Sequence, residues 1–148
     1  MNRLKKPMIV SISLLASVLS AAALAHHSSA VYAGKKTQTA GTVKKWQWTN
    51  PHAFLWLVVS DGKGGTAEAG YELGSPNTLI RNGFTAKTFA VGDKATVLYT
   101  PRRDGQPGGG LEAVYVNNQG KWLQWGPGAD VAAAKEAAAK KAGAASSK

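Results

Sequence analysis

The stretch HAFLWLVVS, residues 52–60, constrains the fold more than any other. It is apolar at nearly every position. Thr49-Asn50-Pro51 before it and Asp61-Gly62-Lys63-Gly64-Gly65 after it are turn sequences. A run this short, bounded this way, reads as a strand, and its near-continuous apolarity predicts burial on both faces. Ala53, Leu55, Leu57 and Val59 fall on one face, and His52, Phe54, Trp56 and Val58 on the other.

The flanking segments continue the β texture. Residues 37–48, TQTAGTVKKWQW, predict a strand that bends or bulges at Gly41. Val43, Trp46 and Trp48 cannot share a face under strict alternation, so a bulge at Lys44-Lys45 is expected. TAEAGYEL predicts a third strand ending near Leu73. The rhythm then changes. In SPNTLIRNGF, Ser75 is expected as N-cap, Pro76 at the first helical position and Asn82-Gly83 as the stop of a short helix. Gly92-Asp93 turns into a fourth strand, residues 94–100. RRDGQPGGG reads as a flexible loop, residues 111–117 as a fifth strand, and NQGKWLQW as a turn with a short closing strand. Three strands, a helix and two more strands make an all-β chain. They fit a small five-stranded OB-like barrel with the helix between strands three and four, with an antiparallel β-sandwich as the alternative.

The N-terminus reads as a secretory leader. Arg3, Lys5 and Lys6 precede an uncharged apolar run, residues 8–25, and Ala23-Leu24-Ala25 fits the cleavage rule. Cleavage before His26, export to the periplasm or beyond the cell, and no membrane span in the mature chain are the expectations. With no cysteine there is no lipid attachment and no disulfide, so packing alone must hold the fold. The expected layout is a leader at 1–25, an arm at 26–36, the barrel at 37–126 and a low-complexity Ala/Lys tail at 127–148. The tail has high helix propensity but no wide apolar face, which predicts a solvated helix. Eighteen basic residues against 8 acidic ones give +10 for the whole chain, and +7 once the leader is gone. Such a surface suits an anionic surface or polyanion, and equally serves solubility. A periplasmic address argues against nucleic acid.

Four stretches resemble one family. AHHS at residues 25–28, G-T-V-x-x-x-x-W-T-N-P-H at 41–52, E-L-x-S-P-N-x-L-x-R-x-G at 72–83 and Gly92-Asp93 are similar to the signatures of short exported proteobacterial proteins catalogued only as a domain of unknown function. Phe84 keeps the aromatic that follows the second long signature. The resemblance spans residues 25 to about 118. It implies an exported small β-domain and no activity.

Two chemical features stand out. Cleavage after Ala25 gives His26 a free α-amine, and amine plus imidazole can chelate one metal ion. His52, the remaining histidine, or His27 with the intervening amide, can complete a tetragonal nitrogen set that suits Cu(II). Glu72 is a candidate outer ligand. A chain this short fits a copper carrier better than an oxygenase. Incidental polar histidines are the plain alternative. The second feature is the face of Phe54 and Trp56 with Lys44, Lys45, Arg102 and Arg103 nearby. It can serve as a stacking platform for a glycan, a polyanion or a protein partner, or be covered by the helix, the arm, Trp122 or Trp125. Glu72, Ser75, Pro76, Asn77 and Arg81 read as structural, with Glu72 and Arg81 expected to pair across the strand–helix junction. No G-x-S-x-G, C-x-x-C or P-loop is present, so enzymatic activity gains no support from motifs.

Overall fold

The computed structural model describes residues 31–126, 131, 132 and 134–136. Residues 1–30, which include the expected leader, His26 and His27, and most of the tail therefore lie outside the described residues. The elements run β1 (Thr37–Gln47), β2 (Phe54–Ser60), β3 (Thr66–Glu72), α1 (Pro76–Ile80), β4 (Lys94–Pro101), β5 (Gly108–Val116), a short 3-10 turn (Asn117–Gln119) and β6 (Lys121–Gln124). Antiparallel pairing gives the order β3-β2-β1-β4-β5-β6. A parallel pairing of β3 with β5 closes the first five strands into a barrel. This is the expected OB-like plan, with α1 between the third and fourth strands and β6 added at the side.

β1 serves both halves of the barrel. Its first part, residues 37–42, pairs with β4, and residues 41–47 pair with β2. Gly41 sits where the two pairings overlap, and a Cβ there would stand 2.7 Å from Val58 O. The register slips between Val43 and Lys45, so Lys44 is the extra residue of a bulge. The slip turns Val43 and Trp46 to the same side. Val43 is buried, and Trp46 and Trp48 pack against the core. The expected bulge is thus present, for the expected reason.

The core is filled by alternate residues: Leu55 and Leu57 from β2, Tyr71 from β3, Val97 from β4 and Val114 and Val116 from β5. Leu79 of α1 and Phe84 behind it are fully buried and plug the barrel. Burial of each such side chain favours folding by about 1.5–3 kcal/mol. Ser75 occupies the N-cap position, but its hydroxyl bonds Thr78 Oγ1 at 3.1 Å and makes no cap to a backbone N–H. The backbone carbonyl of Ser75 takes the Thr78 and Leu79 amides instead, each at 3.0 Å. Pro76 is buried at the first turn, while Asn77 and Arg81 are exposed.

Three expectations are corrected. β2 begins at Phe54, not His52, and only its inner residues are buried; Phe54, Trp56 and Val58 are half-exposed. A continuous apolar run does not report burial on both faces when the outer residues are aromatic shelf. Gly108-Gly109-Gly110 is not loop but the first part of β5, paired with Gly70, Tyr71 and Glu72. At Gly108, φ is +111° and a Cβ would meet Gly70 O at 2.1 Å, so glycine is what lets the barrel close there. In the tail, Ala134 is buried with Leu98 and Ala113, and Val131 packs against the same cluster, so these residues lean on the sheet rather than standing in solvent. Among the described residues, no helix is long and apolar enough to cross a membrane.

Candidate functional site on the outer face of β2 and β3

Side chains on the outside of β2 and β3 lie in register. Phe54 stands opposite Glu72, Trp56 opposite Gly70 and Val58 opposite Glu68. Phe54 and Trp56 are two apart on one strand and so share a face. Their rings stack with centroids 6.2 Å apart and planes 27° apart. Trp56 reaches across to β3, where Gly70 makes room: a Cβ there would lie 2.9 Å from Trp56 Cζ3. The Trp56 indole Nε1 is buried and has no hydrogen-bond partner among the described residues.

The loop between β4 and β5 walls this shelf. Tyr32, Phe54, Trp56, Glu68, Gly70, Arg102, Gln106 and Pro107 line a groove of about 160 Å³. The loop is held by a local network. Arg102 forms a two-pronged pair with Asp104, with Nε 3.0 Å from Oδ1. The same Oδ1 accepts the Gln106 amide at 3.1 Å. The guanidinium holds the Asp104 carboxyl down at about 2.

At the other end of the face, β2–β3 pairing continues past the strands. The Ala53 amide donates to Gly74 O at 3.0 Å and the Leu73 amide to Ala53 O at 2.9 Å. This brings His52 beside Glu72. His52 Nδ1 contacts Glu72 Oε1, and Tyr32 OH donates to Glu72 Oε2. Tyr32 is placed by its own backbone: it bridges Arg102, and the Ala33 amide donates to Pro101 O at 3.0 Å. Its ring lies over Gly110. Burial, followed by Glu72, pushes the Tyr32 phenol well above its ordinary 10.0.

The sequence-predicted residues therefore divide. Phe54, Trp56 and Arg102 meet in the groove. Lys44 joins its edge through an ion pair with Glu68. Lys45 stands opposite Trp56 in register and Arg103 follows Arg102, but both are exposed and neither lines the groove. Glu72 pairs with His52 and not with Arg81. The junction places His52 on the carboxylate first, and Arg81 points from the exposed C-terminal end of α1. His26 and His27 lie outside the described residues. Among the described residues, no group of three or more His, Cys, Asp or Glu side chains gathers as a metal site. The arm covers one end of the face through Tyr32, whereas Trp122 packs beside Leu98 and Ala113 on another part of the sheet, and Trp125 packs over Gly74. Sequence reasoning missed Tyr32, Glu68, Gly70 and Gln106. Gly70, a lone glycine inside a strand pattern, is the one with a readable signal, since such a residue marks a close approach.

A larger cavity, about 690 Å³, lies beside β6 and is walled by Trp122, Val131 and Lys135. Part of its wall belongs to the tail, whose neighbouring residues lie outside the described set, so it does not define a site.

A family model described as a family of unknown function, DUF6152, matches residues 14–112. The match takes in every residue that lines the groove. Among curated proteins and among solved structures, none matches the chain.

Proposed function

The chain belongs to the DUF6152 family, a family of unknown function, and we propose from its own geometry that it is a ligand-binding module working through the outer face of β2 and β3. The observation that carries this reading is the stacked pair Phe54 and Trp56, half-exposed and walled by Arg102 and Gln106. Aromatic rings left at a surface beside convergent polar groups are what a binding site offers and a folding core does not. The second and third strands of an OB barrel, with the loop between the fourth and fifth, are also where this architecture places ligands. Export through the leader at 1–25 is part of the proposal, and an intact mass beginning at His26 in periplasmic protein tests it.

Backbone amide shifts of labelled protein, followed during titration with soluble cell-envelope fractions, test the face. Shifts clustered on Phe54, Trp56, Glu68, Gly70, Arg102 and Gln106 support it. Shifts confined to Tyr115, Trp122 and Gln124 overturn it.

Copper is the second reading, and the His52–Glu72 contact favours it. A histidine whose Nδ1 is held by a carboxylate presents Nε2 in a fixed direction, the arrangement metal-binding histidines commonly have. His52 keeps 39% of its side chain exposed. The further ligands expected from the sequence are His26 and His27. Cu(II) binding that is lost both in His52→Ala and on adding one residue before His26 supports copper, and binding indifferent to both removes it.

A further inference from the structure

The groove's charges narrow the class of ligand. Among the described residues, the two cations at the groove are already matched: Lys44 lies on Glu68 and Arg102 on Asp104. Glu72 adds a second carboxylate on the same face of β3, with 17% of its side chain exposed. A polyanion binds by displacing counterions from free lysines and arginines. Here it would meet Glu68 and Glu72 and would have to break two ion pairs to reach a cation. The exposed Lys45 and Arg103 lie off the groove.

A neutral, hydroxyl-rich ligand meets none of these costs. A hydroxyl both donates and accepts. It can donate to Glu68 and accept from the Arg102 guanidinium without separating either from its partner, since each carboxylate and guanidinium has bonding capacity to spare. The Gln106 amide offers both a donor and an acceptor. The C–H face of a sugar ring lies well on an aromatic ring, and Phe54 and Trp56 supply two such rings in a row. At about 160 Å³ the groove is smaller than a site that encloses a drug-sized molecule, ~300–1,000 Å³. It therefore seats one unit of a longer chain, whose neighbours run along the shelf.

Resting on the reading of the β2–β3 face as the ligand site, we infer that the ligand is a neutral glycan, stacked on Phe54 and Trp56 and hydrogen-bonded by Glu68, Arg102 and Gln106.

Calorimetric titration of the purified protein tests this with oligomers of β-1,4-glucose, α-1,4-glucose and N-acetylglucosamine, from monomer to hexamer, alongside a sulfated polysaccharide fragment. The expected result is binding of a neutral series that strengthens with length, is unchanged by added salt and weakens about tenfold in Trp56→Ala. Trp122→Ala, on another part of the sheet and outside the groove, serves as control and leaves binding unchanged. Gly70→Ala, which displaces the Trp56 ring without removing it, weakens binding as well and keeps the test open if Trp56→Ala does not fold. Binding of the sulfated fragment alone, salt-sensitive and weakened by Trp56→Ala, overturns the glycan class while the face reading stands. Neutral-glycan binding indifferent to Trp56 and Gly70 but lost in Trp122→Ala overturns both. Failure of every neutral series to bind overturns the glycan class.

Discussion

Trp56 rests on the backbone of Gly70, so closely that a Cβ on Gly70 would stand within 3.2 Å of three carbons of its benzene ring. The two residues are direct cross-strand partners. The shelf exists because one strand supplies a large ring and its partner supplies no side chain.

Gly70→Ala therefore forces the indole outward. Overpacking of this kind costs about 1–3 kcal/mol. A urea midpoint lowered accordingly, together with a changed near-ultraviolet circular dichroism spectrum, is the expected outcome. An unchanged spectrum would mean that the ring does not lie on Gly70 in solution.

Trp56→Phe should be mild. The indole N–H has no partner among the described residues, so its removal discards a donor that makes no bond. A loss below about 1.5 kcal/mol in denaturant unfolding is expected, because the atoms removed come from a ring that is only partly buried. A larger loss would show that the indole contributes more than an unbonded N–H, through its packing on Gly70 or through a bond.

Glu72 carries two partners, and Glu72→Gln weakens both. Hydrogen bonds to a charged group contribute about 1.5–3 kcal/mol and neutral ones about 0.5–1.5, so a loss of about 1 kcal/mol is expected. The arm loosens with it, and the Ala33 amide should exchange faster. The Tyr32 phenol, raised in the folded state, favours folding in full below pH 10, and this contribution is lost as the pH climbs above that. In Glu72→Gln the phenol ionises at lower pH, as an ultraviolet titration will show. Equal Tyr32 titration in both proteins would mean that the contact with Glu72 is not made.

Acid pH tests the loop. Asp104 ordinarily ionises near 3.8 and is lowered to about 2 by Arg102 and by the Gln106 amide. The pair's contribution is whole above the ordinary value and disappears as the pH falls through about 2. Both groups are exposed, so the readout is the Asp104 carboxyl resonance rather than global stability. Arg102→Ala should return its midpoint toward 3.8 and move the Gln106 amide. A wild-type midpoint already near 3.8 would mean that the pair does not hold the loop.

Much of the barrel was legible because its signals are local. Alternation, turn residues and the Ser75-Pro76 start of α1 place the strands and the helix, and the clash of Val43 with Trp46 announces the bulge at Lys44. Barrel closure was hidden because a run of three glycines signals a loop by composition, while the contact that makes Gly108 to Gly110 a strand comes from Gly70 to Glu72, far earlier in the chain. The aromatic half of the site was visible in the alternation of Phe54 and Trp56. The polar half was not, since Tyr32, Glu68 and Gln106 reach the groove from three separate segments. Glu72 misled for the same reason: Arg81 is nearer in sequence, but His52 is nearer in space.

Closure by β3 and β5 also governs how the molecule behaves in a crowd. The parallel pairing covers only Gly70, Tyr71 and Glu72 of β3, so Thr66 to Ala69 keep an open hydrogen-bonding edge, as do the four residues of β6. Each is short, and each carries a charge, Glu68 on one and Lys121 on the other. Edges that short and charged are poor templates for a neighbouring strand. Among the described residues, these edges thus give another copy of the chain little backbone to grip.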